Sequence, residues 1–256
     1  MKWTIKEITE KLSKVTDQND DFVMQLKQDE RKGVQTLIKR WSREQEQKKQ
    51  QYEKFMFMTA YEQKYHNEGY RFMAGIDEVG RGPLAGPVVA AAVVLPHNFY
   101  LPGIDDSKKL SEQKREQFFT EISEKAVSIG IGLIESDEID TINIFKATKK
   151  AMLAAIQQLE PKPDFLLIDA VKLETSYPSE AIIKGDGLSV SIAAASIVAK
   201  VTRDRILKDY DRLYPQYGFA RNAGYGTKEH LQAIKLHGIT PIHRKSFSPV
   251  KEYIHS

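Results

Sequence analysis

Four acidic residues lie where predicted strands end, and these side chains are the best placed for chemistry. Asp77 and Glu78 close one hydrophobic run, Asp169 closes a second, and Asp186 follows a third, just before a helical segment. A single acid in such a place is usually a helix cap or a turn residue. Because strands of one sheet can bring their ends to one edge, the four together predict a carboxylate cluster that either binds a hard cation or carries a cost of repulsion.

The composition limits which metal ions this cluster could hold. The chain has no Cys and only six His, which excludes thiolate zinc sites, iron–sulfur ligation and cysteine nucleophiles. Oxygen ligands favour Mg²⁺ or Mn²⁺. Two such ions about 4 Å apart can catalyse an in-line displacement at phosphate. The expected cofactors are therefore two Mn²⁺ or Mg²⁺ ions held by the four carboxylates.

Strand geometry puts one condition on this site. Neighbouring residues of a strand point to opposite faces of the sheet. Asp77 and Glu78 can therefore share a site only if the strand has ended or bulged there, or if one of them uses its backbone carbonyl.

The elements that must position these acids follow from the hydrophobic pattern after residue 70. Short β-rich runs separated by turn residues predict strands, and longer amphipathic or polar helix-forming stretches predict helices. The predicted strands are residues 72–77, 87–95, 126–135, 165–169 and 181–184, and the predicted helices are residues 111–125, 144–159 and 188–210. This order predicts an α/β fold with a mixed sheet flanked by helices.

The first 70 residues differ in composition from the rest. They contain no Pro and two Gly but nine Gln, and Val34, Leu37, Ile38 and Trp41 have the spacing of one buried helix face. Residues 42–54 are almost wholly polar, which fits either a solvated connecting helix or a partly ordered linker. We expect a helical N-terminal extension over residues 1–70 and a catalytic domain over residues 71–256.

Composition and charge also limit the location and the partners. The longest apolar run has eight residues, against about 20 for a membrane span, and no signal-type segment begins the chain, so we expect a cytoplasmic protein without membrane contact. The net charge of +3 divides into +2 for residues 1–70, −5 for residues 71–199 and +6 for residues 200–256. The basic last part is either an ordinary solvated face or a surface for a polyanion.

A glycine turn directly follows the first acidic pair. Gly80-Arg81-Gly82-Pro83 lets the backbone approach a ligand closely, although alone it is weak evidence for a phosphate loop. The longer phrase, residues 75–87 (GIDEVGRGPLAGP), resembles the signature of ribonuclease HII in a form close to that of Gram-positive bacteria. The resemblance covers about residues 70–247 and continues through residues 106–111 (DSKKLS), 169–170, 184–186, 193–204 (AAASIVAKVTRD), 224–227 and 243–247 (HRKSF).

The resemblance implies an RNase H-like fold with a helical C-terminal part. It implies a metal-dependent endonuclease for RNA–DNA hybrids and for duplex DNA with single embedded ribonucleotides, as in ribonucleotide excision repair and primer removal. Cleavage would fall 5′ of the ribonucleotide and leave 5′-phosphate and 3′-OH ends. Residues that match the family's catalytic and metal-binding carboxylates are Asp77, Glu78, Asp169 and Asp186.

The resemblance also assigns substrate contacts. Gly80, Arg81 and Gly82 match the turn that reads the ribose 2′-OH, and Tyr225 matches a tyrosine that stacks on the adjacent sugar. The 2′-OH is the group that distinguishes RNA from DNA, so a close glycine backbone there is physically reasonable.

Basic residues are the candidates for phosphate contacts. Given a nuclease, we expect Lys200, Arg203 and Arg244 to contact phosphates, with Lys108 and Lys109 opposite.

Two alternatives remain open from the sequence. One is a ribonuclease HIII-like nuclease that needs runs of ribonucleotides, although Arg81 follows the HII pattern. The other is a hybrid-binding module without catalysis, against which all four carboxylates argue. We expect a monomer, and the sequence identifies neither the role of residues 1–70 nor a replication or repair partner.

Overall fold

The computed structural model describes residues 3–254, so residues 1–2 of the predicted extension and residues 255–256 of the predicted catalytic domain lie outside the described range. The helices in this range are α1 (Ile5–Leu12), α2 (Asp21–Lys27), α3 (Lys32–Met58), α4 (Ala60–Asn67), α5 (Glu112–Lys125), α6 (Ser136–Ile142), α7 (Ile144–Gln157), α8 (Val190–Leu213), α9 (Phe219–Asn222) and α10 (Lys228–His237). The strands are β1 (Met73–Val79), β2 (Val88–Val94), β3 (Ser128–Ile134), β4 (Phe165–Asp169) and β5 (Ser179–Ile182).

The five strands form one mixed sheet in the order β3-β2-β1-β4-β5. The first three strands are antiparallel, whereas β4 runs parallel to β1 and β5 runs parallel to β4. The predicted mixed sheet with flanking helices is confirmed, and each predicted strand matches an observed strand to within a few residues. The parallel arrangement matters for function because it brings the carboxyl ends of β1 and β4 to the same edge of the sheet.

Contacts divide the chain into two compact units, one ending at Met56 and the other beginning at Phe57. The first unit has its own small core, built from one apolar stripe of each helix. Its buried residues are Ile8, Leu12, Val23, Leu26, Val34, Ile38 and Trp41. The polar residues 42–54 are helical within α3, which fits the first of the two interpretations of this stretch. The domain boundary at residue 70 stays a prediction.

The second unit buries both faces of the sheet. Ala74 and Ile76 of β1 point into a core shared with α7, which contributes Ala151, Met152 and Ala155. Residues of β1 that alternate with these point to the opposite face, where α8 packs. The seven residues of β2 are all buried, as expected for a strand that is covered on both sides.

Helix α8 approaches β1 very closely. A Cβ at Gly75 would lie 2.0 Å from the carbonyl carbon of Ser191, so no larger residue fits there without displacing the helix. The Ser189 hydroxyl caps α8 by accepting a hydrogen bond from the Ile192 N–H at 3.2 Å. The first turn of α8 is therefore fixed against the strand that carries Asp77. Among residues 3–254, no helix is long and apolar enough to cross a membrane.

The close approach at Gly75 predicts a large cost for adding one methyl group. Replacing Gly75 by Ala should destabilise the protein by about 1 to 3 kcal/mol or more, because backbone atoms of α8 must move. Denaturant unfolding followed by circular dichroism measures this cost. Gly187→Ala is the matched control, since a Cβ there meets nothing closer than 4.0 Å. Equal stability of the two variants would contradict the packing described here.

Candidate active site

Three of the four predicted carboxylates meet at one edge of the sheet. Asp77 lies on β1, Asp169 ends the neighbouring strand β4, and Asp186 lies in the turn between β5 and α8. One carboxylate oxygen of each falls within 4.8 Å of the other two. Asp77 is 4 % exposed and Asp186 is 8 % exposed, so little water reaches these two carboxylates.

Burial and the negative charges of nearby carboxylates raise the pKa of each of these acids. The pKa of Asp77 lies well above its ordinary value, chiefly because of burial and then because of the negative charge of Glu78. Burial also raises the pKa of Asp169, although a hydrogen bond from the Gly185 N–H opposes this shift. The pKa of Asp186 is raised by burial and by the neighbouring charges of Asp106 and Asp169. A divalent cation would relieve this repulsion.

Glu78 does not belong to this group of three. Strand β1 continues to Val79 without a bulge, so Asp77 and Glu78 point to opposite sides of it. Glu78 Oε1 lies 3.3 Å from an Arg81 guanidinium nitrogen, and burial raises the pKa of its carboxyl. Its Oε2 is buried and has no hydrogen-bond partner among the described residues.

The donor set fits a hard divalent cation. Carboxylate oxygens from Asp77, Asp169 and Asp186 converge, and they are the ligand type that Mg²⁺ and Mn²⁺ prefer. Among the described residues the Oε2 of Glu78 is a buried acceptor without a hydrogen-bond partner, while Arg81 pairs with the other oxygen of the same carboxylate.

Sequence reasoning missed two polar residues that contact the carboxylates. Beyond the effect of burial, the negative charge of Asp106 raises the pKa of Asp186, and the Ser196 hydroxyl lowers the pKa of Asp77. Asp106 opens the DSKKLS phrase, which drew attention only to its lysines. Ser196 interrupts the apolar run of α8, and a lone hydroxyl facing the strand of Asp77 was the available signal.

Arg203 and Arg244 lie inside the protein, which does not fit their predicted contact with phosphate. They are 1 % and 0 % exposed, respectively. Their guanidinium groups bind backbone carbonyls of the glycine turn and of the segment that follows it. Arg203 donates to the carbonyls of Ala85, Pro87 and Ala223, and Arg244 donates to those of Gly80, Arg81, Pro83 and Gly86.

This arrangement gives the two arginines a different role. Burial lowers the pKa of Arg203 to about 10 and that of Arg244 to about 9, and for Arg244 the charge of Arg203 adds to the effect. The carbonyl dipoles around them offset part of the cost of burying two cations. Arg203 and Arg244 therefore hold the glycine turn in one conformation.

Tyr225 lies beside the glycine turn, as the resemblance implies. Its side chain is exposed, and its Cε1 lies 3.6 Å from the position of a Cβ at Gly82. The backbone joins the two segments as well, since the Leu84 N–H donates to the Gly224 carbonyl at 2.8 Å. The structure thus brings Gly80, Arg81, Gly82 and Tyr225 together.

The three predicted lysines differ in their surroundings. Lys108 and Lys109 are exposed on the turn after β2, and Lys108 Nζ lies 4.0 Å from Asp186 Oδ2. Together with Asp169 and Asp186 they line an open cavity of about 680 Å³. Lys200, by contrast, binds Asp204 on its own helix with an Nζ–Oδ1 distance of 2.5 Å.

His243 is buried and hydrogen-bonded rather than placed as a general acid. Its Nε2 lies 3.0 Å from Nε2 of His230, and its Nδ1 accepts a hydrogen bond from the Thr240 N–H at 2.9 Å. Burial lowers its pKa to about 4. The imidazole is therefore uncharged near neutral pH, and it packs in the interior with its hydrogen bonds to His230 and Thr240.

Comparisons with known proteins find similarity along the whole chain. The sequence model of the family described as ribonuclease HII matches residues 74–250, and that of the ribonuclease HII N-terminal domain matches residues 4–66. A ribonuclease HII of Bacillus cytotoxicus is 53 % identical over 253 residues, which cover 99 % of this chain and 98 % of that protein. A ribonuclease HII of a Geobacillus species is 54 % identical, covering 99 % of this chain and 91 % of that protein.

The fold is similar to that of a solved structure. The ribonuclease H2 of Pyrococcus horikoshii aligns with 71 % of this chain and 96 % of that one, with a TM-score of 0.61 and 26 % sequence identity. This similarity supports the RNase H-like fold expected from the sequence.

The buried guanidinium of Arg244 predicts that lysine cannot replace it. An ammonium has three donors and no planar fork, so Arg244→Lys should leave carbonyls of the turn unpaired and cost about 2 to 4 kcal/mol of stability. Chemical unfolding of the variant tests this. Arg221→Lys is the control, because Arg221 is exposed and pairs with Glu229. A cost no larger than that of the control would contradict the role assigned to Arg244.

The raised carboxylate pKa values predict how the stability of the metal-free protein depends on pH. A carboxyl whose pKa is higher in the folded state binds protons more readily there, so stability falls as the pH rises through the folded pKa. Over about pH 4 to 8, above the ordinary carboxyl values, Asp77→Asn should weaken this fall and raise Tm at the alkaline end. Scanning calorimetry of both proteins at several pH values, with a chelator present to remove metal ions, measures both effects. The exposed Asp137→Asn is the control, and identical pH profiles for the two variants would contradict the account.

Proposed function

The chain belongs to the ribonuclease HII family, and from this membership we propose that it incises duplex DNA 5′ of single embedded ribonucleotides as well as hydrolysing longer hybrids. Members of this family are ribonucleases H, so the protein is an endonuclease that acts on the RNA strand of RNA–DNA hybrids. The products of incision would carry 5′-phosphate and 3′-OH ends. Such incision would serve ribonucleotide excision repair and primer removal.

One observation carries the catalytic part of the proposal. Asp77, Asp169 and Asp186 present carboxylate oxygens within 4.8 Å of one another at a sheet edge that borders an open cavity. Two Mn²⁺ or Mg²⁺ ions would supply charge stabilisation for the attacking water, the phosphate and the leaving oxygen. Asp77, Asp169 and Asp186 would hold these ions. Glu78, whose side chain points to the other side of β1, would join them through its backbone carbonyl.

The orientation of the glycine turn supports recognition of the ribose 2′-OH. The carbonyls of Gly80 and Arg81 point to the buried guanidinium of Arg244. The peptide bonds after these residues are trans, so the N–H groups of Arg81 and Gly82 point the opposite way, out of the protein core. Two outward N–H groups beside the exposed ring of Tyr225 form a donor pair suited to a sugar hydroxyl.

Cleavage of two substrates tests the proposal directly. A DNA duplex with one ribonucleotide should be cut on the 5′ side of that residue, as should an RNA–DNA hybrid. Asp169→Asn should reduce both rates by about 100-fold or more, because it removes charge from the metal-binding group. Activity on the hybrid alone would favour the ribonuclease HIII-like alternative. Wild-type rates for Asp169→Asn would remove the catalytic assignment of this residue, whereas binding of the hybrid by the wild type without any cleavage would favour a binding module.

The lysines at the edge of the cavity predict a salt effect. We propose that Lys108 and Lys109 contact phosphates of the substrate, and that Lys200 joins them only if its ion pair with Asp204 opens. Each phosphate contact adds about 0.9 to the slope of log K against log salt. Lys108→Ala with Lys109→Ala should therefore lower the slope by about 1 to 2 in fluorescence anisotropy titrations. The exposed Lys146→Ala on α7 is the control, and an unchanged slope in the double variant would refute these contacts.

A further inference from the structure

One buried carboxylate lies outside the group of Asp77, Asp169 and Asp186. Glu62 on α4 is 9 % exposed, and its Oε1 accepts hydrogen bonds from the Ser189 hydroxyl at 2.6 Å and from the Ser191 N–H at 3.0 Å. Its Oε2 is buried without a hydrogen-bond partner among residues 3–254. Burial raises the pKa of Glu62, and the hydrogen bonds from these two serines oppose the shift. Burying a carboxylate costs free energy, which its hydrogen bonds must offset.

Glu62 fixes the start of α8. The N–H groups in the first turn of a helix have no partner within the helix, and a negative charge there is favourable. The Ser191 N–H is one of these groups, and Ser189 is the N-cap residue of the same helix. Glu62 therefore binds both the cap and the first turn through a single oxygen.

Hydrogen bonds continue from this point to the carboxylate of Asp169 and to the residue next to Asp186. The Ser189 N–H donates to the Gly185 carbonyl at 2.8 Å. The Gly185 N–H in turn donates to Asp169 Oδ1 at 2.7 Å, and Asp186 is the next residue in the chain. Three successive hydrogen bonds thus connect Glu62 with Asp169, and Asp186 lies in the turn that they hold.

A second path leads to the third carboxylate. Ser191, which donates to Glu62, packs its carbonyl group against Gly75 of β1. Asp77 lies two residues further along this strand and points to the same face of the sheet. The segment from Gly185 to Ser191 therefore bonds to Asp169, contains Asp186 and packs against the strand that carries Asp77.

We propose that Glu62 is a positioning residue for the metal-binding carboxylates. By holding the Ser189–Ser191 turn, it sets the separation of Asp77, Asp169 and Asp186 before a metal binds. This inference rests on the proposed function, since it assigns to α4 a part in a metal site that the described geometry supports. It also gives one residue of the predicted N-terminal extension a role in the chemistry.

Substitutions at Glu62 separate positioning from simple stabilisation. Glu62→Ala should lower kcat on the single-ribonucleotide duplex and weaken Mn²⁺ binding, each by about 10-fold, as loss of a residue that orients metal ligands commonly does. KM should stay within about twofold, because no substrate contact changes. Glu62→Gln should recover most of both losses, since an amide oxygen can accept the same two hydrogen bonds. Gln63→Ala, on the exposed side of the same helix, should behave as wild type.

The measurements are steady-state kinetics and Mn²⁺ titration calorimetry, both at a temperature below the Tm of every variant. The Tm of each metal-free protein is measured separately. A lower Tm for Glu62→Ala with unchanged kcat and Mn²⁺ affinity would overturn the proposal, because Glu62 would then only stabilise the fold. If Glu62→Ala does not fold, Ser189→Ala removes the hydroxyl that Glu62 binds. It should show the same losses, and wild-type values would overturn the proposal. Absence of Mn²⁺ binding and cleavage by the wild type would overturn the proposed function itself, and with it this inference.

Discussion

Three like-charged carboxylates lie close together at one edge of the sheet, and the packing around them has to oppose their repulsion. Oxygens of Asp77, Asp169 and Asp186 lie within 4.8 Å of one another at poorly hydrated positions, and burial raises the pKa of all three. Such a group would separate if its supports could move. It persists because Asp77 lies on a strand with partners on both sides and because the turn before α8 is fixed against that strand. The repulsion held in this way is what a divalent cation would relieve.

Buried groups of the opposite charge fix the glycine turn. The buried guanidinium of Arg244 binds carbonyls of the turn, and that of Arg203 binds the Ala85 and Pro87 carbonyls that follow it. The turn is therefore held in a conformation in which the N–H groups of Arg81 and Gly82 face outward. Arg203 and Arg244 direct their guanidinium donors to backbone carbonyls, and in this way they set the orientation of the peptide groups of the turn. Both the carboxylate edge and the turn are thus held in place by buried polar groups, and a site that is fixed before its ligand binds is preorganised.

The sequence predicts the sheet and the meeting of Asp77, Asp169 and Asp186, because hydrophobic runs mark the strands and acids follow them. It does not predict the separation of Glu78 from this group, which depends on whether β1 continues past Asp77. The burial of Arg203 and Arg244 was missed because arginines are usually exposed, and nothing in residue type or spacing marks the exceptions. The contact of Glu62 with Ser189 joins residues 127 positions apart, which no local pattern can indicate.

We propose that the three carboxylates form a divalent metal site, and anomalous diffraction from crystals soaked in Mn²⁺ tests this. We expect a manganese peak at about 2.0 to 2.6 Å from carboxylate oxygens of Asp77, Asp169 and Asp186, absent in crystals of Asp77→Asn. A wild-type crystal with no peak between these three residues, at Mn²⁺ concentrations that support cleavage, would contradict it.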